Sequence, residues 1–255
     1  ENTFLSISVD FNKGEMLSIL EEITTEIPRS FTHPVTIYKE PIQQGLRSRR
    51  KTFAIPASKL TLAWQVPAMD HPDTPALDLL SIILGTGRSS RLYQNVREQT
   101  DLCHHIGSWC MTDPECPGLF AVSAITEHAK RDQLQQTILD EIESLKNEDL
   151  SEEIAKATRM ALVSQFSTLT TASGRASDLA SNWHETRNLD FTRDYVDLLN
   201  EVTTEDIQRA AQTHLTTERL TITSLDPENS EEAGTTASST QQRGEMSTHT
   251  LANGL

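Results

Sequence analysis

The 255-residue chain is poor in aromatics, at 5%, and in cysteine, of which it has three. Cys103, Cys110 and Cys116 are odd in number and nowhere spaced C-x-x-C, which argues against both a disulfide scaffold and a zinc ribbon. No apolar run approaches the roughly 18 residues that a membrane-spanning helix needs. Positive charge is scarce. Twenty-two Lys and Arg face 37 Asp and Glu, a formal charge of −15, which repels nucleic acid and anionic membrane surfaces. There is no G-x-S-x-G nucleophile elbow and no P-loop, and Gly85-x-Gly87 lacks the third glycine and preceding strand of a dinucleotide site. No fixed-period repeat is present. The N-terminus, ENTFLSISVDF, has no basic n-region and reads as neither signal nor transit peptide. It also lacks an initiating Met, as a mature or excised fragment does. What remains is a soluble chain, cytoplasmic or periplasmic, with enough length for one large domain or two smaller ones.

Periodicity then divides the chain. Leu5, Ile7, Val9 and Phe11 alternate with polar residues, the pattern of a half-buried strand, and Met16, Leu20, Ile23 and Ile27 recur at helical spacing up to Pro28. From Arg29 to about Lys51 the pattern fails. That stretch reads as a linker, and its cluster Arg47, Arg49, Arg50 and Lys51 as solvated charge rather than an anion site. Leu60, Leu62, Trp64 and Val66 share one face of a strand ended by Pro67. Asp70 to Trp109 reads as helix, glycine-bearing loop, second helix and strand. Asp73 stands in a capping position, Pro75 fits the first turn and Gly85 ends the helix. Ser89 or Ser90 starts the next helix, with Leu92, Val96 and Gln99 along one side and Tyr93 and Arg97 along another. Cys103–Cys110 and Leu119–Thr126 read as strands separated by the turn TDPECPG. Leu134, Ile138, Ile142 and Leu145 mark a helix. Ser151 caps a long polar helix interrupted near Thr171 to Gly174. Phe191 to Leu199 forms another helix, Thr203 caps one bearing Ile207, Ala210, Ala211 and Leu215, and Leu220–Leu225 is a last strand. From Asp226 onward the tail is too polar to offset its ordering entropy and reads as disordered. The sum is an α+β fold, a largely antiparallel sheet with helices packed on one face.

The eight histidines build no autonomous metal site. His104 and His105 are adjacent, so on a strand they face opposite sides. His214 lies on the apolar side with Ile207 and Ala211 and reads as a packed core histidine. His184–Glu185 lacks the next required ligand, Glu127–His128 falls at a strand-to-helix junction, and Cys103, His104 and Cys110 fit no zinc module. Trp109 and Trp183 read as structural.

The order of elements in 70–109, above all ILGTGRSSRLYQNVREQTDL, closely resembles the second half of the pitrilysin/insulinase-type zinc peptidases, which include the mitochondrial processing peptidases. EVTTEDIQRAAQTHL supports it more weakly. The resemblance runs to about Leu225 and implies two related α+β halves facing each other like a clamshell. On it, residues 1–28 look like the terminal strand and helix of a preceding half. Residues 29–52, with KEPIQQGLR, look like the linker, 53–225 like a complete second half, and 226–255 are the tail. In the family the first half carries H-x-x-E-H, whose histidines bind zinc and whose Glu acts as base for the zinc-bound water. That motif occurs nowhere in these 255 residues.

The resemblance therefore implies a substrate-enclosing half with no cofactor of its own. Zinc would come from an H-x-x-E-H-bearing partner half on the same or a separate chain, with a peptide as substrate. In several family members an Arg and a Tyr, seven residues apart, point towards the scissile bond. The Arg falls at Arg97 and the Tyr at His104, where the chain departs from the pattern. An imidazole can still donate one hydrogen bond to a carbonyl or developing oxyanion, but the swap equally fits a half that has lost its contribution. Gly85 and Gly87 lie where non-catalytic processing-peptidase subunits carry a longer substrate-handling loop. Here the loop is short, and a helix–helix turn is the simpler reading. The alternative function is a catalytically inactive structural subunit, as in respiratory-chain core proteins.

Overall fold

A computed structural model describes residues 3–27, 36–38 and 40–228. Its centre is β2 (Ser58–Val66), where Leu60, Leu62, Trp64 and Val66 are fully buried while Lys59 faces solvent. That alternation fixes the sheet, because a one-residue slip would turn the whole buried set outward. Val122 of β4 (Gly118–Thr126) and Ile222 of β5 (Leu220–Pro227) stand opposite Leu62 on either side. Trp64 meets Phe120 edge-to-face at 6.4 Å between ring centroids. With β3 (His105–Met111) and β1 (Arg47–Phe53) at the edges, the order is β1-β5-β2-β4-β3. β1 and β5 run parallel and all other neighbours antiparallel.

The buried face is covered by helices. α1 (Lys13–Thr24) stands apart from this layer and buries none of its residues. α2 (Thr74–Gly85) is apolar nearly all round and lies innermost, touching β3, α4 (Ser151–Leu169), α6 (Phe191–Glu201) and α7 (Thr204–His214). α3 (Arg131–Ser144) adds Leu134, Ile138 and Ile142, and α7 adds Ile207, Ala210 and Ala211. α5 (Ala172–Thr186) lies outermost and buries only Asn182. The break between α4 and α5 falls where the small residues occur, with the Thr171 hydroxyl accepting from the Gly174 N–H at 2.9 Å. The α+β architecture is the one expected. Among the described residues, no helix is long and apolar enough to cross a membrane.

Several local expectations are corrected. Leu5 to Phe11 form no strand: alternation supplies a face but no hydrogen-bonding edge, and none is offered among the described residues. Residues 47–52, expected within the linker, form β1 together with Phe53. All seven are exposed, and the strand exists because β5 offers its edge. Asp73 occupies the N-cap of α2 but makes no capping bond. Ser151 is the first residue of α4 rather than its cap, and Asp149 accepts from its N–H and hydroxyl. The helix after Gly85 is a π-helix, Leu92–Glu98, rather than an α-helix. Asp226, placed at the start of the tail, is buried in β5. Its carboxylate accepts from the Ser58 hydroxyl at 2.7 Å and pairs with Arg131, tying the sheet to the start of α3. Burial opposes that charge, but Ser58 and Arg131 outweigh it and hold the carboxyl below its ordinary value. The remainder of the tail, residues 229–255, lies outside the described residues.

Gly85 marks the closest approach of helix to sheet, since a Cβ there would stand 2.0 Å from the Ser108 backbone nitrogen. Gly85→Ala must push α2 off β3 and is expected to cost about 1–3 kcal/mol by overpacking. Urea unfolding with an unchanged midpoint would contradict this.

Candidate functional site

Arg97 sits near the end of the π-helix. The i→i−5 pattern appears where the Gln99 N–H donates to the Gln94 carbonyl at 3.1 Å. Such segments are rare and recur at functional sites. This one is anchored on both sides. Leu92 and Val96 are buried in the core. Arg91 donates from Nε and Nη2 to both Glu153 oxygens at 2.7 Å and from Nη1 to Glu148 at 2.7 Å. Asn95 adds a bond to Glu141 at 2.9 Å. Glu153 and Glu141 come from α4 and α3, so two helices brace the segment.

On that support the Arg97 guanidinium lies 4.7 Å over the Tyr93 ring, the i,i+4 pairing foreseen from spacing. It is half-buried, and among the described residues no carboxylate lies within ion-pair distance of it. Among the described residues the guanidinium makes no side-chain hydrogen bond, so its N–H groups stay available. The chain leaves the helix through Asp101, a left-handed residue at φ 51°, whose N–H donates to the Arg97 carbonyl at 3.1 Å. His104 follows just before β3, exposed, its N–H donating to Ile125 of β4 at 2.8 Å. Among the described residues no hydrogen bond joins Arg97 to His104. His105 is exposed as well.

Gly85 and Gly87 are explained by turn geometry. Gly87 has φ 81°, a conformation glycine adopts freely, and its carbonyl accepts from the Ser90 N–H at 3.2 Å and hydroxyl at 2.8 Å. The cysteines are free, and burial pushes the Cys103 thiol up to about 11 and Cys110 higher still, so neither is a ready nucleophile.

Sequence reasoning missed the cluster around Asp73. His214 is buried, as expected of a core histidine, and its Nε2 stands 2.8 Å from Asp73 Oδ2. Arg219 Nη1 lies 2.9 Å from His214 Nδ1, and guanidinium can only donate. Nδ1 is therefore the acceptor, and Nε2–H donates to Asp73: a neutral imidazole of defined tautomer. Arg209 donates to Asp73 Oδ1 at 2.9 Å. Burial opposes the Asp73 charge, but bonds from His214 and Arg209 outweigh it and hold the carboxyl below its ordinary value. Burial also disfavours protonated His214 and lowers its pKa.

Donor atoms of His71, Asp73 and His214 lie within 4.8 Å of one another. All are already engaged, since His71 Nδ1 accepts from the Asp73 N–H at 3.1 Å and two guanidiniums occupy the other two residues. This is a lock of α7 on α2 rather than a cation site. The signal was available only as three polar residues in apolar surroundings, with partners 141 positions apart.

The lock carries a pH signature. His214 titrates lower folded than unfolded, so its stabilisation is complete above about pH 6.5 and falls away as the pH drops below that value. Between pH 7.5 and 5.5 Tm should drop by about 2–4 °C, equivalent to ~1 kcal/mol, beyond the drop seen in His214→Gln. Parallel pH profiles for the two proteins would contradict the assignment.

Three comparisons bear on this geometry. The family described as the peptidase M16 inactive domain matches residues 1–162. The zinc protease PqqE of Helicobacter pylori is 23% identical over 195 residues, 76% of this chain and 44% of that protein. The crystal structure of a protease from Helicobacter pylori superposes with a TM-score of 0.77 at 25% identity, covering 86% of this chain and 54% of that one. A peptidase M16 inactive domain from Pseudomonas fluorescens gives a TM-score of 0.74 at 22% identity, covering 86% and 52%. The chain thus spans about half the length of the relatives it matches.

Proposed function

Because the chain belongs to the peptidase M16 inactive-domain family, we propose that it closes over a peptide that a zinc-bearing half, on the same or a separate polypeptide, cleaves. The inactive domain is the non-catalytic half of such proteases, and these 255 residues contain no H-x-x-E-H. The partner's zinc would supply the activated water. The observation that carries the reading is Arg97: a half-buried guanidinium without a carboxylate partner among the described residues, stacked on Tyr93 and held on a braced π-helix. A cation left unneutralised at a fixed place suits a ligand that brings partial negative charge. In this role Arg97 donates to a peptide carbonyl and stabilises the charge that develops on its oxygen during attack. His104, exposed beside the same connection, supplies a second donor through its imidazole. Gly85 and Gly87 shape the turn that sets the π-helix against α2.

Arg97→Ala in the assembled protein should lower kcat/KM for peptide hydrolysis about 10²-fold, the usual magnitude for one lost oxyanion donor, with little change in Tm. Unchanged turnover would remove Arg97 from the site. Chelating zinc should abolish hydrolysis while leaving the melting of this chain unaltered.

The resemblance also leaves a second reading. It sets His104 at the position where several family members carry Tyr, and the exposed imidazole makes no side-chain hydrogen bond among the described residues, which suits a structural subunit. A stable assembly from the native source with no peptidase activity on any unstructured peptide would establish it.

A further inference from the structure

We propose that the face of the sheet turned away from α2, open except where Gln43 bonds Gln65 and Thr221, is a docking surface for an acidic peptide segment bearing an apolar side chain about six residues away. This rests on the reading of the chain as a lid and names the class of peptide it takes.

The register shows which residues share that face. One row crosses all five strands as Lys51, Leu225, Lys59, Ile125 and His105. The rows beside it begin at Arg49 and Arg47 on β1, and the Arg47 row ends at Trp109 on β3. Each strand contributes four positions, and not one is Asp or Glu, in a chain with 37 acidic residues and a formal charge of −15. Arg47, Arg49, Lys51 and Lys59 are all exposed, and among the described residues none makes an ion pair. Arg50 is the internal contrast. It points to the opposite side of the same strand and pairs with Asp132 at 2.8 Å. Cations on the helix side of β1 are neutralised; those on the open side are not.

The other edge is apolar. Trp109 is 42% exposed, Met111 58% and Leu119 39%, neighbours on β3 and β4. Met111 and Leu119 also line a cavity of about 630 Å³ at the end of the strands, with Gln65, where Glu40, Asp113, Glu115 and Glu185 outnumber Arg187. The face is therefore graded: mainly basic at β1, where Phe53 is also exposed, mixed at Leu225 and Lys59, apolar at Trp109 and Met111 of β3, with a mainly acidic rim beside the apolar end. Four strand spacings of about 4.8 Å separate β1 from β3, roughly 19 Å, which about six residues of extended chain span. An acidic group is drawn to β1 and repelled from the far rim, so the gradient also sets the direction of the segment. A long polyanion such as nucleic acid would meet both the apolar edge and the acidic rim.

The test uses this chain assembled with its zinc-bearing half. Three fluorescein-labelled twelve-residue peptides each carry a Phe six positions from a triplet of Glu, Gln or Lys. Fluorescence anisotropy at 50 mM salt should show the Glu peptide binding at least tenfold tighter than the Lys peptide, with the gap narrowing at 200 mM salt. Lys51→Glu and Lys59→Glu, both at exposed positions, should together reverse the order without shifting Tm. Trp109→Ala should weaken all three peptides alike. Equal affinities, or an order unchanged by charge reversal, would overturn the proposal. So would a single-stranded oligonucleotide of equal charge that binds tighter than the Glu peptide. Hydrolysis measured alongside separates the two readings. If no peptide is cleaved, the lid reading fails, while the anisotropy order still decides this one.

Discussion

Burial of a five-stranded sheet on one face only is the constraint from which the rest of the molecule follows. Leu60, Leu62, Trp64 and Val66, with Phe120, Val122 and Ile222 in register, commit one side of the pleat to the helices. The alternate residues are committed to the other side by the same period. Register, helix placement and the composition of the free face are therefore not independent choices. α2 is apolar nearly all round because it lies innermost under this layer. The face turned away from the helices is charged at β1 and polar over much of its centre, and its exposed apolar side chains are Phe53, Leu225 and the group towards β3.

Charge is arranged on the same plan. On the helix side, cations and carboxylates are paired and do structural work: Arg91 with Glu148 and Glu153, Arg131 with Asp226, Arg209 with Asp73. The Arg131–Asp226 pair is buried on both sides, and a buried pair loses several kcal/mol when one partner is removed, so that site punishes substitution even where it contributes little net stability. Arg97 differs from all of them. It sits among braced neighbours yet has an aromatic ring where the others have a carboxylate. The distinction separates a guanidinium that holds the fold from one positioned for something outside it.

Periodicity revealed most of the architecture, because β2, β4, α2, α3 and α7 bury stripes that repeat along the chain. The cap at Thr203 was legible for the same reason, as a local pattern, and the structure completes it as a capping box with Asp206. What escaped was held by distant partners. β1 has no apolar alternation and becomes a strand only through β5. Asp226 looked like the start of a polar tail because Arg131 lies 95 positions away. Leu5 to Phe11 erred in the other direction, since a strand-like pattern cannot pair with itself. Arg97 was found from a resemblance, whereas its π-helical setting and its stacking on Tyr93 needed coordinates. The one-sided charge of the sheet was invisible before the register was known, as it depends on which residues stand side by side.

The position of β5 has one more implication. The last strand among the described residues is inserted between β1 and β2, in the interior of the sheet. Until residue 227 has emerged, β1 has no neighbour and β2 presents one bare edge. Synthesis from the N-terminus therefore passes through a stage in which β2, β3 and β4 can assemble around α2 while an open slot waits for its final strand. Any other extended chain that reached that slot first would compete with β5, which makes the nascent state the point at which this fold is most open to mispairing.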